Sequence, residues 1–182
     1  WKGATDMLME RPSKMPSIAA RVADVIVRGV EDSDSEQVID LINDVYGEYQ
    51  GCVLLVDEEE PELKAPASAF SGLGGQFWVA ECQEIICGTV AITPTDAPGV
   101  ARLHKLYVSS GARGRGIGEA LCKLAETSAR EDMNANMMML YSDSRFLKAH
   151  RLYDRLNYQR QHGVIQRADA SQSVEYVYTK KL

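Results

Sequence analysis

The part of this 182-residue chain best furnished for chemistry runs from Leu103 to Gly118, LHKLYVSSGARGRGIG. An apolar strand pattern meets glycines at 111, 114, 116 and 118, and a helical pattern follows at once. Glycine lets the backbone turn sharply and lets main-chain amides approach a ligand with no Cβ between them. The unpaired N–H groups of a first helical turn, at the positive end of the helix dipole, make an anion site. Arg113 and Arg115 add positive charge beside it. A diphosphate is the natural guest. A Walker loop would need Gly-Lys-Ser/Thr, but Gly118 is followed by Glu119. A dinucleotide G-x-G-x-x-G fingerprint would need glycine where Glu119 stands. Nucleotide hydrolysis is therefore disfavoured.

The elements that must position this turn follow from hydrophobic period and breakers. A first strand is expected at residues 23–29, ADVIVRG, and Asp32, Ser33 and Ser35 offer N-caps for a helix after it. Val38, Ile42, Val45, Tyr46 and Tyr49 fall on one face of that helix. Residues 51–75 read as an irregular stretch with an acidic run, Asp57–Glu60 and Glu62, and with Pro61 and Pro66. This is a solvated loop or a cover over a substrate pocket. Residues 76–82 and 85–95 form a hairpin across Gln83-Glu84, although the Asn-Gly turn signal is absent. A strand at 100–109 leads into the glycine turn, and a helix runs from about Ile117 to Arg130 with Ile117, Leu121, Leu124, Ala125 and Ser128 inward. A short strand at 137–141, a helix at 145–156 and two closing strands at 158–164 and 173–180 complete the order.

Length and composition suit one domain at 23–182, with residues 1–22 a weakly structured lead-in that lacks a secretory signal pattern. A net charge of −6 argues against nucleic acid or an anionic membrane as the main partner. No apolar run approaches the ~20 residues of a membrane helix. The four cysteines, Cys52, Cys82, Cys87 and Cys122, show no zinc spacing. They are expected to be core thiols of a cytoplasmic protein, and no metal is called for.

The hexapeptide Arg113-Gly114-Arg115-Gly116-Ile117-Gly118 resembles the R/Q-x-x-G-x-G/A signature of the GNAT superfamily of acyl-CoA N-acyltransferases. LHKLYV before it is similar to that family's fourth strand, and the stretch from Ala149 through Leu152-Tyr153 to Asn157-Tyr158 is similar to its A-x-x-L-Y-x-x-x-G-F/Y ending. The likeness covers about residues 23–180. It implies an α/β (α+β) fold with a splayed, mixed central sheet of about seven strands flanked by about four helices. It also implies transfer of an acetyl group from acetyl-CoA to a primary amine, or, alternatively, a non-catalytic module that binds acyl-CoA. Exposed strand edges in such sheets allow a homodimer.

The resemblance also assigns roles. Leu106, Tyr107 and Val108 would bond pantetheine through their backbone, and Arg113, Gly114, Arg115, Gly116, Ile117 and Gly118 would carry the pyrophosphate. A backbone N–H near Leu106 would steady the oxyanion formed when an amine attacks a thioester. Tyr153, in the place of the family's tyrosine, would protonate the leaving thiolate. The base stays open. Relatives often carry a glutamate on the fourth strand, but here it has none. His104, sharing strand parity with Leu106, is one candidate; Asp143 is another, unless it caps the next helix; a water chain is the third. Tyr46, Tyr49 and Asp143 are the candidate substrate contacts. Two departures stand out: Phe146 replaces an asparagine that contacts CoA, and Asn157 replaces a glycine.

Overall fold

The computed structural model describes residues 24–182, so the expectation for residues 1–22 lies outside the described residues. The strands are β1 (Val25–Gly29), β2 (Gln76–Cys82), β3 (Ile85–Pro94), β4 (Val100–Val108), β5 (Met137–Asp143), β6 (Gln159–Arg160), β7 (Ile165–Gln166) and β8 (Val174–Lys181). The α-helices are α1 (Ser35–Gly47), α2 (Pro66–Gly72), α3 (Ile117–Met133) and α4 (Leu147–Arg155). The strands join one sheet in the order β1-β2-β3-β4-β5-β8-β6, with β7 also on β8. Among the described residues that makes eight strands and four α-helices, the mixed architecture expected with one more strand.

β3 is buried from Ile86 to Thr93 because helices cover both its faces. On one face α3 sets Ile117, Leu121, Ala125 and Ala129 against Val90, Ile92, Leu103, Met138 and Leu140. On the other, Val38, Leu41, Ile42 and Val45 of α1 pack with Phe70, Phe77, Val79 and Ala91. Their i, i+3, i+4, i+7 spacing makes the apolar stripe. Among the described residues no helix is long and apolar enough to cross a membrane.

Several local expectations are corrected. Residues 51–75 are not wholly irregular: a 3-10 turn spans Pro61–Lys64, and α2 follows. Each proline opens its element, where its missing N–H costs nothing. The expected caps of α1 do other work. Asp32 accepts from the Ser68 amide in the first turn of α2 at 2.9 Å, and Ser35 Oγ donates to Leu63 O at 2.7 Å. The two-residue β2–β3 turn exists without Asn-Gly because Gln83 and Glu84 both take positive φ, 52° and 65°. Asn157 does the same at 63°, in the place of the family's glycine. Cys82 and Cys87 are not thiols but a disulfide across that hairpin, with Cα atoms 6.0 Å apart.

The feature that builds the site is the parting of β4 from β5. These strands, the sheet's parallel pair, hold register only from Val100–Leu103 to Met137–Leu140. β5 continues on β8 to Asp143, whereas β4 leaves it and stays with β3. A bulge accompanies the parting: His104 faces Ala91 and Tyr107 faces Thr89, leaving one extra residue on β4. Lys105 absorbs it with φ of 51°. Its carbonyl takes a 2.7 Å hydrogen bond from Thr89 Oγ1, which is fully buried. Replacing Thr89 with valine leaves that carbonyl unpaired, and about 1–3 kcal/mol of stability should be lost in urea unfolding. An unchanged midpoint would show that the bulge does not depend on this bond.

Candidate active site

Where β4 leaves β5, a groove of about 440 Å³ opens, bounded by Leu106, Tyr107 and Val108 on β4, the turn into α3, and α4. Gly114 and Gly116 in that turn have φ of 77° and 81°, and a Cβ on either would meet only open space. Their conformation is one that other residues resist, and it bares the amides that open the 17-residue α3. The turn is thus a cradle shaped for an anionic group. Gly118 serves differently: a Cβ there would come within 3.2 Å of Leu152, so its lack of a side chain seats α3 on α4.

The cations around the cradle differ from expectation. Arg113 does not stand free beside the amides. Both its terminal nitrogens donate to Glu48 at 2.6 Å, and its Nε donates to Val108 O at 2.9 Å. That bidentate pair, from just past the end of α1, holds the Glu48 carboxyl below its usual range. Arg115 lies outside the groove lining, with a terminal nitrogen 3.9 Å from Cys82 Sγ. Positive charge on the groove comes also from Lys148 and Arg155 of α4, which sequence reasoning passed over. Their four- and three-residue steps around Leu152 place them on one helix face, a signal readable once α4 is assigned.

Deeper in, a small cavity shares Leu106, Tyr107, Phe146 and Ala149 with the groove and adds His104, Lys105, Tyr141, Ser142 and Tyr153. Tyr153 is 4% exposed and packs on Tyr158 and Tyr178 with ring centres 5.7 and 5.3 Å away. Burial pushes its phenol well above the ordinary value, so it stays protonated.

The bulge changes the reading of His104. It puts His104 on the face of Tyr107 and Ala91, the α1/α2 side, while Leu106 packs with the α3 core, so the expected shared parity fails. His104 Nε2 is 2.8 Å from Thr93 Oγ1, and the ring stands edge-on to Phe70. Burial first, and the charge of Arg102 second, bring its pKa down to about 3. It is neutral across the physiological range and a weak proton acceptor.

Asp143 does not cap α4, whose N-cap is Phe146. Its carboxylate takes hydrogen bonds from Arg145 Nε at 2.9 Å, a terminal nitrogen at 2.6 Å and the Arg145 amide at 2.8 Å. Burial raises its pKa, but the Arg145 bonds outweigh it and the net shift is downward. Tyr46 and Tyr49 come together with Phe146, ring centres 6.0 and 4.7 Å apart, and Tyr46 Oη lies 3.2 Å from Tyr107 Oη. They wall the groove by tying α1 to the start of α4.

A cluster that sequence reasoning did not assemble lies at the bulge. Lys105 Nζ pairs with Glu60 and, at 3.1 Å, with Glu62, both from the acidic stretch after α1. Burial pulls the ammonium down to about 7. The two ion pairs pin the stretch onto β4.

The family model described as the acetyltransferase (GNAT) family matches residues 37–158. The chain is similar to human N-acetyltransferase 8B, 34% identical over 97 residues, which cover 51% of this chain and 42% of that protein. The matching stretch thus spans less than half of that relative. In fold it is similar to a GNAT-family acetyltransferase from Staphylococcus aureus, with TM-score 0.73 and 20% identity over 87% of this chain and 99% of the other. It is also similar to a Salmonella typhimurium protein described with its cofactor acetyl-CoA, with TM-score 0.67 and 16% identity over 87% and 94% of the two chains.

Two outcomes follow from the site. Gly116→Val strains the positive φ and fills the cradle, so calorimetry should show coenzyme A binding at least about tenfold weaker, a change of ~1.4 kcal/mol; undiminished affinity would remove the cradle from the site. For His104, a folded pKa below the ordinary 6.5 means its stabilising effect is present above that value and lost as pH falls toward 3. His104→Gln should therefore lose less stability between those pH values than the parent in urea titrations, and parallel curves would refute the assignment.

Proposed function

Because this chain belongs to the acetyltransferase (GNAT) family, we propose that it carries the acetyl group of acetyl-CoA to a primary amine. The observation that supports this reading best is a pair of adjoining cavities that share Leu106, Tyr107, Phe146 and Ala149. The inner one is lined by Leu106 and the buried Tyr153, and the outer one by the turn that opens α3.

Bound acetyl-CoA supplies a thioester carbonyl for the amine to attack. The open positions at Gly114 and Gly116 fit its pyrophosphate, held by the amides of residues 114–118, with Lys148 and Arg155 balancing charge. Arg113, clamped to Glu48 and Val108 O, acts as a brace that shapes the turn. The β4 backbone at Leu106, Tyr107 and Val108, freed from β5, offers strand-like hydrogen bonds to the amides of the pantetheine arm.

At the inner end the Leu106 N–H donates to the carbonyl oxygen as negative charge gathers there. The C–N bond forms first, giving a tetrahedral oxyanion whose collapse breaks the C–S bond. Tyr153 gives its proton to the departing sulfur and regains one that the amine has shed through water. An alkylammonium has a pKa near ~10.4 and must shed a proton before it attacks; with His104 part-buried and bonded to Thr93, that proton is passed through water to the solvent. His104 and Asp143 then shape the cleft: one bonds Thr93, the other Arg145.

Tyr153→Phe keeps the ring packing and removes the acid. Turnover, followed by release of free thiol, should fall by about 10²–10⁴ while acetyl-CoA affinity is retained. Thiol release equal to that of the parent would remove Tyr153 from the chemistry. If no amine elicits release although acetyl-CoA binds, the chain is an acyl-CoA-binding module.

A further inference from the structure

The Cys82–Cys87 disulfide spans the hairpin of β2 and β3, and each of its residues also holds the turn that opens α3. Cys87 is the extra residue of a bulge, since Ala80 faces Gly88 and Glu81 faces Ile86. Its carbonyl accepts the Ser109 N–H at 2.9 Å, where β4 ends and the turn begins. The next residue, Gly88, pairs with Val108 of the groove wall. A Cβ on Gly88 would come within 3.2 Å of Ile117 and Leu121, so the hairpin lies directly against the start of α3. From within the turn, a terminal nitrogen of Arg115 donates to Cys82 Sγ at 3.9 Å. Arg115 sits between Gly114 and Gly116, the two positive-φ residues of the cradle.

The bridge thus fixes the spacing between two holds on one turn, a backbone hold at its entry and a side-chain hold between its glycines. Cys82 is the last residue of β2, beside the exposed Gln83-Glu84 link. Once the S–S bond is opened, Cys82 is free to fray from the strand end, because terminal pairs of a strand open most readily. Cys87 stays in place, 5% exposed in the core with Ile117 and Leu121. The two holds then uncouple, and the cradle gives up part of its preorganisation for a ligand. Access is one-sided as well. Cys82 is only partly buried, so a thiol from solution meets its sulfur first.

We infer that Cys82–Cys87 is a thiol-exchange site, through which a dithiol sets how tightly the cradle holds coenzyme A. The inference rests on the cofactor site proposed above and not on the transfer step. One thiolate of the dithiol attacks Cys82 Sγ, the S–S bond breaks, and Cys87 leaves as a thiolate that takes up a proton. The second thiol then attacks the mixed disulfide, which closes the dithiol into its own disulfide and releases the Cys82 thiolate beside Arg115. Two electrons pass from the dithiol to the bridge, and its two protons balance the two cysteines.

The test uses the full chain, purified in air without reductant, and desulfo-coenzyme A, which has no thiol to open the bridge. Thiols counted in denaturant should number two before treatment with dithiothreitol and four after it. With the reductant removed under nitrogen, calorimetry should show the ligand bound about tenfold more weakly by the reduced chain than by the bridged one. Cys82→Ser, which cannot form the bridge, should bind like the reduced parent whether or not dithiothreitol has been added. Four thiols before treatment, equal affinity of the two parent forms, or a Cys82→Ser affinity that still responds to dithiothreitol overturns the inference. If Cys82→Ser does not fold, the two forms of the parent still decide. Equal affinity leaves the cofactor site standing, whereas absence of binding by either form removes that site and the inference with it.

Discussion

Two parallel strands that pair over Val100–Leu103 and then separate leave main-chain donors and acceptors with nowhere to go inside the sheet. The rest of the molecule is arranged around that debt. β4 keeps β3 as its partner through the bulge at Lys105, and Thr89 covers the carbonyl that the bulge turns out of register. On the other side the strand edge at Leu106, Tyr107 and Val108 faces a groove instead of a neighbour. An open strand edge is normally a hazard, because any extended backbone can pair with it. Here it is walled by α4 and by aromatic rings.

The wall is held by contacts between distant parts of the chain. Glu48, just past α1, clamps Arg113 in the turn before α3, and the rings of Tyr46, Tyr49 and Phe146 close the gap between α1 and α4. An arginine at the mouth of a phosphate cradle invites the reading of a phosphate ligand. Its two short bonds to one carboxylate and a third to Val108 O make it a strut between α1 and the turn before α3. Phe146 in place of an asparagine exchanges a polar contact for this packing.

The acceptor side is polar in a graded way. The Lys105 cluster with Glu60 and Glu62, the neutral His104 and the paired Asp143 are each satisfied by partners within the fold. Arg102 is the contrast, with a buried donor left over on the same face of the sheet. The Cys82–Cys87 bridge lies at the far hairpin and fastens β2 to β3, beside Arg115 rather than within the cleft.

Sequence alone determined whatever depends on neighbours a few positions apart. The glycines before Ile117 announced a sharp turn into a helix, the alternation at 76–95 announced a hairpin, and the Leu152-Tyr153 pair put a tyrosine on the inner face of α4. Family membership was legible for the same reason, since both motifs are local. What the sequence left open was decided by tertiary contacts. One extra residue at Lys105 reversed the face on which His104 had been expected, because a bulge is set by the partner strand and not by the strand's own alternation. Pro61 and Pro66, read as breakers, open a 3-10 turn and α2, which rest on contacts with α1 and β2. The partners of Arg113, Lys105 and Arg102 lie, or fail to lie, across gaps of tens of residues that no local period encodes. Side-chain charge can be counted along a chain, but whether it is spent on a strut or kept for a ligand depends on what folding brings beside it.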